Sequence, residues 1–181
     1  SFVNGFRRWT KRQYSKKQRL TAVILGGIFF WLVIPLAIIV GSFYLDRWFH
    51  LPSIRYGAAN GLIALLFMVP GWLFANWTIK VQYSLGKGTP IPIMATQKLV
   101  IKKPYTYCRN PMNLGTAFYY VGVAIWVGSL SAFGLALVYP VGILTYVKVI
   151  EEKELEERFG IEYLEYKRGT PFIIPHFRRR H

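Results

Sequence analysis

Residues 20–45 (LTAVILGGIFFWLVIPLAIIVGSFYL) contain no charged side chain. A helix rises roughly 1.5 Å per residue, so a run of about 20 residues already crosses a bilayer core of about 30 Å. Two further uncharged runs follow, over residues 56–79 and 114–147. The last is long enough to cross twice, and Gly128-Ser129-Leu130-Ser131 at its middle is a small-residue break suited to a tight helical hairpin. The expected fold is therefore all-α: a multi-pass integral membrane protein with about four transmembrane helices. A soluble chain of 181 residues has too little interior to bury apolar segments of this length on every side. Composition agrees, since 53% of residues are hydrophobic and only 17% charged, against about 25% charged in soluble domains. The first run exceeds the apolar stretch of about 7–15 residues found in cleaved leaders, so it is expected to remain as a span.

Charge placement sets an expected orientation. Seven Lys or Arg fall in residues 1–19 (Arg7, Arg8, Lys11, Arg12, Lys16, Lys17, Arg19), whereas the connection after the first run has only Arg47 and Arg55. Six more lie between Lys80 and Arg109, eight from Lys148 onward, and none in the turn between spans three and four. By the positive-inside rule both termini and the long middle loop are cytosolic. The expected organisation is a basic arm over 1–19, transmembrane helices within 20–150 around a cytosolic loop at about 80–112, and a carboxy-terminal segment over 151–181.

The net charge of +15 does not call for nucleic acid, although Trp9 and Tyr14 lie within the basic arm. Beside a first span, such an arm is held against an anionic leaflet, each basic residue contributing roughly 1 kcal/mol. A lone Cys108 and scattered His50, His176 and His181 offer no metal-ligand pattern. No metal and no nucleic acid are expected, and the sequence sets no oligomeric state. Within the runs, Pro35, Pro70 and Pro140 are expected to kink their helices. Gly57 and Gly61 form a GxxxG that permits close helix approach.

Chemistry is best placed in the middle loop, Ser84–Gly115. Gly86 and Gly88 allow unusual backbone angles, Pro90 and Pro92 stiffen the chain beyond them, and Lys98-Leu99-Val100-Ile101 reads as a short extended patch. Pro111 suits the first turn of the next helix, which leaves Arg109 and Asn110 just outside its amino-terminal end. Unpaired N–H groups there, with Arg109 beside them, would suit a carboxylate. Equally, Arg109 reads as snorkelling to the interface beside an aromatic belt of Tyr105 and Tyr107.

Seven of the eight acidic residues lie between Glu151 and Glu165. Leu155, Phe159, Tyr163 and Tyr166 are spaced to share one helix face, which predicts an amphipathic cytosolic helix. Glu154 and Arg158 form an i, i+4 pair. Glu151 and Glu152 differ from the other acids in sitting at the membrane end of span four, at the depth of Arg109. A guanidinium facing one or two carboxylates suits a ligand with an amino-acid head group.

The ordered motifs G-K-G-T-P-x-P (86–92), K-L-V (98–100), P-Y-x-Y-x-R-N-P-M-x-x-G (104–115) and E-E-x-x-L-x-x-x-F-G-x-x-Y-x-x-Y (151–166), with Pro171 and Pro175, carry a resemblance. Together they resemble the isoprenylcysteine carboxyl methyltransferase and phospholipid methyltransferase superfamily. The resemblance implies an S-adenosylmethionine-dependent membrane methyltransferase, acting by in-line transfer on a lipid or lipidated acceptor that enters from the bilayer. Carried onto this chain, it implies cofactor contacts at Lys98, Leu99, Val100, Tyr105, Tyr107, Arg109, Asn110, Pro111, Gly115, Glu151 and Glu152. Arg109, Asn110 and Glu152 are its implied catalytic residues. The chain departs from the family's common pattern at Lys103, where glycine is frequent, at Asn113, where tyrosine is frequent, and in having Asn110 rather than histidine. A non-catalytic lipid-binding protein of the same fold is the alternative. A nicotinamide-dependent reductase is disfavoured because no G-x-G-x-x-G is present.

Overall fold

A computed structural model describes residues 15–86 and 97–175. The arm residues Arg7, Arg8, Lys11 and Arg12, and the loop residues Gly88, Pro90 and Pro92, lie outside the described residues. Among the described residues five helices follow in order: α1 (Lys16–Phe49), α2 (Ala58–Leu85), α3 (Pro111–Val127), α4 (Leu130–Phe159) and α5 (Ile161–Gly169). Among the described residues there is no strand, only a single bridge between Ser53 and Ser129. Helices α1, α2 and α4 are long and apolar enough to cross a membrane. The 17 residues of α3 extend over roughly 25 Å.

Ser15 starts α1 with a reciprocal cap, its Oγ accepting from Gln18 N–H at 3.2 Å while Gln18 Oε1 accepts from Ser15 N–H at 3.0 Å. Farther along, Pro35 would drive its ring into the carbonyl one turn back. The helix answers by widening into a π turn over Phe29–Val33, where Ile34 N–H bonds to Phe29 O. Phe30 O is then opposite Pro35, which has no N–H to give. The fully buried Tyr120 of α3 donates its hydroxyl to that carbonyl at 3.0 Å. Tyr120→Phe is expected to leave the carbonyl unpaired and to cost about 1 kcal/mol. A thermal unfolding midpoint in detergent equal to the parent's would show that another group satisfies Phe30 O.

Small residues bring α2 and α3 together as an antiparallel pair. A Cβ on Gly115 would stand 2.7 Å from Gly71 O and 2.8 Å from Ala75 N, and one on Gly122 would stand 2.9 Å from Ala64 O. The backbones therefore touch along two turns, as membrane helices do where side chains are smallest. The GxxxG at Gly57 and Gly61 plays no such part: Gly57 is the cap of α2 at φ 63°, and Gly61 has nothing within 4 Å of a built Cβ. Ile38 of α1 packs with Ala132 and Ala136 of α4 against Tyr120, Val123 and Ala124 to form the main apolar cluster.

The expected hairpin stands where the small-residue break lies. Gly128, at φ 67°, ends α3, and Ser129 Oγ caps α4 by accepting from Ala132 N–H at 3.0 Å. A tie across this end joins Asn60 Nδ2 to Ile54 O and Ile125 O, while Ile54 N–H donates to Gly128 O.

One segment differs from its sequence reading. Instead of a separate amphipathic helix over 151–166, α4 runs on past its last apolar turn to Phe159, through a π turn over Val147–Glu151. Gly160, at φ 56° and ψ −127°, then redirects the chain into α5, a conformation open to glycine but strained for other residues. Leu155 and Phe159 thus belong to one helix and Tyr163 and Tyr166 to another. Gln97 and Lys98 form a bend, both N–H groups donating to Gly86 O, and Leu99, Val100 and Ile101 beyond it pair with no strand among the described residues.

Candidate functional site

Asn110 is the N-cap of α3 and Pro111 its first residue, so Arg109 sits just before the helix begins. Its backbone N–H donates to Pro171 O at 2.9 Å, and Asn110 Nδ2 donates to Phe172 O at 3.0 Å. These two bonds lay the segment after α5 along the start of α3.

Arg109 Nη1 lies 2.6 Å from Glu152 Oε1, and both side chains are largely buried. Glu152 Oε2 lies 3.0 Å from Lys167 Nζ, which also reaches Glu156 Oε1 at 2.6 Å. The Tyr163 hydroxyl accepts from Arg109, and the Phe172 ring centre is 5.5 Å from the guanidinium carbon. Each buried charge therefore faces an opposite one, without which burial would be strongly unfavourable. Of the paired acids, Glu152 is only 3% exposed while Glu151 is half-buried. The π turn supplies the reason. One extra residue in the turn re-phases the rest of a helix by about 100°, and here it aims Glu152 at Arg109.

Burial raises the Tyr163, Tyr166 and Tyr105 phenols, with Glu151 adding to the effect at Tyr105. It also pushes the Cys108 thiol up to about 11. Lys167 is shifted upward, first by its hydrogen bond to Glu156. The phenols and the thiol thus stay protonated near neutral pH.

Arg109, Asn110, Pro111 and Glu152 come together, with Glu151 beside them. Tyr105 joins through its carbonyl, which accepts from the Tyr166 hydroxyl at 2.7 Å. Tyr107 instead turns its ring toward Trp77, at 6.4 Å, with Lys103 Nζ 5.7 Å from its centre. Gly115 faces α2. Among the described residues no hydrogen bond or ion pair links Lys98, Leu99 or Val100 to Arg109 or Glu152. The contributions of Lys167 and Phe172, and the polar role of Tyr163, are absent from the sequence reading. Their only sequence signal is the spacing of Tyr163 and Lys167, one helical turn apart.

Arg109 Nε is buried and has no hydrogen-bond partner among the described residues. A guanidinium with a spare buried donor, opposite a carboxylate, fits the head group of an amino acid.

Fold and site together define a helical membrane protein whose charged centre is built where a long loop, the extension of a spanning helix and the last helix converge. The chain belongs to the phospholipid methyltransferase family, whose profile matches residues 58–162. That range contains Arg109, Asn110, Glu151 and Glu152 and stops short of Tyr163, Lys167 and Phe172. The family implies a membrane methyltransferase of lipid metabolism. Comparison with curated proteins returns no match.

Proposed function

We propose that the chain transfers a methyl group from S-adenosylmethionine, by in-line displacement, to an acceptor held in the bilayer, either a prenylcysteine carboxylate or an aminophospholipid. The observation that carries this reading is the buried Arg109–Glu152 pair at 2.6 Å, a matched cation and anion at the loop end of the bundle. Arg109 would hold the cofactor's carboxylate, and Glu152 its amino group or ribose. When bound, the cofactor supplies a methyl group already activated on a sulfonium. The protein's task is then alignment and exclusion of water. A carboxylate acceptor attacks without losing a proton. An amine, which the family's description favours, must lose one, and Glu151 beside Glu152 is the acceptor at hand.

In this reading α3 is a fourth span, and both termini and the middle loop lie in the cytosol, as the distribution of Lys and Arg supports. Either a bacterial cytoplasmic membrane or an endoplasmic reticulum is compatible with it.

The test offers labelled S-adenosylmethionine with prenylcysteine, aminophospholipid and small-thiol acceptors in parallel, alongside cofactor titration of the detergent-solubilised protein. Transfer to one lipid acceptor is expected. Folded protein that binds no S-adenosylmethionine would instead identify a non-catalytic lipid-binding member of the family.

A further inference from the structure

Helix α5 carries two polar groups one turn apart, and each meets one half of the central ion pair: Tyr163 accepts from Arg109, and Lys167 contacts Glu152 Oε2 at 3.0 Å. The helix is itself tied down by Tyr166, whose hydroxyl donates to Tyr105 O. Lys167 also holds Glu156 on the extension of α4, at 2.6 Å, so it bridges the two helices across the Gly160 break.

We propose that Lys167 is a positioning residue for the cofactor site, fixing Glu152 by its outer oxygen so that the inner oxygen is presented to the ligand. The inference rests on the reading of Arg109 and Glu152 given above. In the structure Arg109 occupies Glu152 Oε1. When Arg109 turns to a ligand carboxylate, Oε1 is released for the ligand's ammonium or hydroxyl group. Lys167 remains on Oε2, so the carboxylate neither rotates nor stands without a counter-charge. A cation on one oxygen and a ligand donor on the other then engage both oxygens of the carboxylate.

The experiment titrates S-adenosylmethionine into full-length, detergent-solubilised Lys167→Met, Lys167→Gln, Lys167→Arg and Glu156→Gln proteins, and into Glu152→Gln with and without Lys167→Met. Lys167→Met is expected to bind about tenfold more weakly, within the range for coupled neighbours. Lys167→Gln, which keeps a donor but no charge, should fall between it and the parent, and Lys167→Arg should restore most of the affinity. Glu156→Gln should leave affinity near the parent's. In the Glu152→Gln background Lys167→Met should add nothing, because the group it positions has already lost its charge. Lys167→Met or Lys167→Gln protein with parental affinity overturns the inference, as does an equal further loss in the Glu152→Gln background. Parent protein that binds no cofactor overturns the functional reading itself, and shows it before any Lys167 variant is compared.

Discussion

Glu152→Ala protein is expected to lose S-adenosylmethionine binding and about 3–5 kcal/mol of stability together, because removing one member of a buried pair strands the other. Arg109 would be left with a phenol and a phenyl ring but no anion, and Lys167 would keep only Glu156. Arg109→Ala should abolish binding with a smaller loss of stability, since Glu152 retains Lys167 at 3.0 Å. Glu151→Ala should unfold near the parent's temperature, because Glu151 is half-buried and has no ion-pair partner among the described residues. Thermal unfolding in detergent, paired with cofactor titration, separates the three. Equal damage from the two glutamate truncations would mean that the π turn does not select between them.

Gly115→Val is expected to be the most disruptive change within the membrane part. Its new side chain would meet Gly71 O and Ala75 N, both backbone atoms, at under 3 Å. Neither can move aside unless α2 and α3 part, so the change should cost about 3 kcal/mol or more, at the upper end of overpacking effects. The start of α3 carries Arg109 and Asn110, so parting the helices also displaces the site. Gly61→Ala is the control, since open space surrounds that position, and it should be neutral or slightly stabilising. If the two proteins unfold at the same temperature, the contact between α2 and α3 is looser than backbone touching backbone.

Features set by local rules were legible in the sequence. Charge-free length marks the long helices, the small-residue break at Gly128–Ser131 marks the hairpin, and Pro111 after Asn110 marks the start of α3. The i, i+4 pair of Glu154 and Arg158 also forms, at 3.1 Å. Where α4 stops was not legible, because charges at Lys148 and Glu151 mark the edge of lipid, whereas backbone hydrogen bonding continues through them. The choice between Glu151 and Glu152 depends on a π turn that no residue pattern announces. Lys167 carries no assignment in the sequence, because its partners depend on the direction taken at Gly160. By spacing Gly57 and Gly61 permit a close approach, whereas the glycines at which α2 and α3 touch are Gly71, Gly115 and Gly122. Those are fixed by which helix faces meet, a property of the bundle rather than of one segment.

Under the proposed function, the continuity of α4 makes bilayer thickness an input to the chemistry. Glu152 rides on α4, a helix of 30 residues long and apolar enough to cross a membrane and roughly 45 Å in length, while Arg109 is fixed to the start of α3. Spanning helices adjust to thinner or thicker membranes by changing tilt. A change in the angle between α3 and α4 therefore alters the separation of cation and anion, and with it the fit of whatever binds between them.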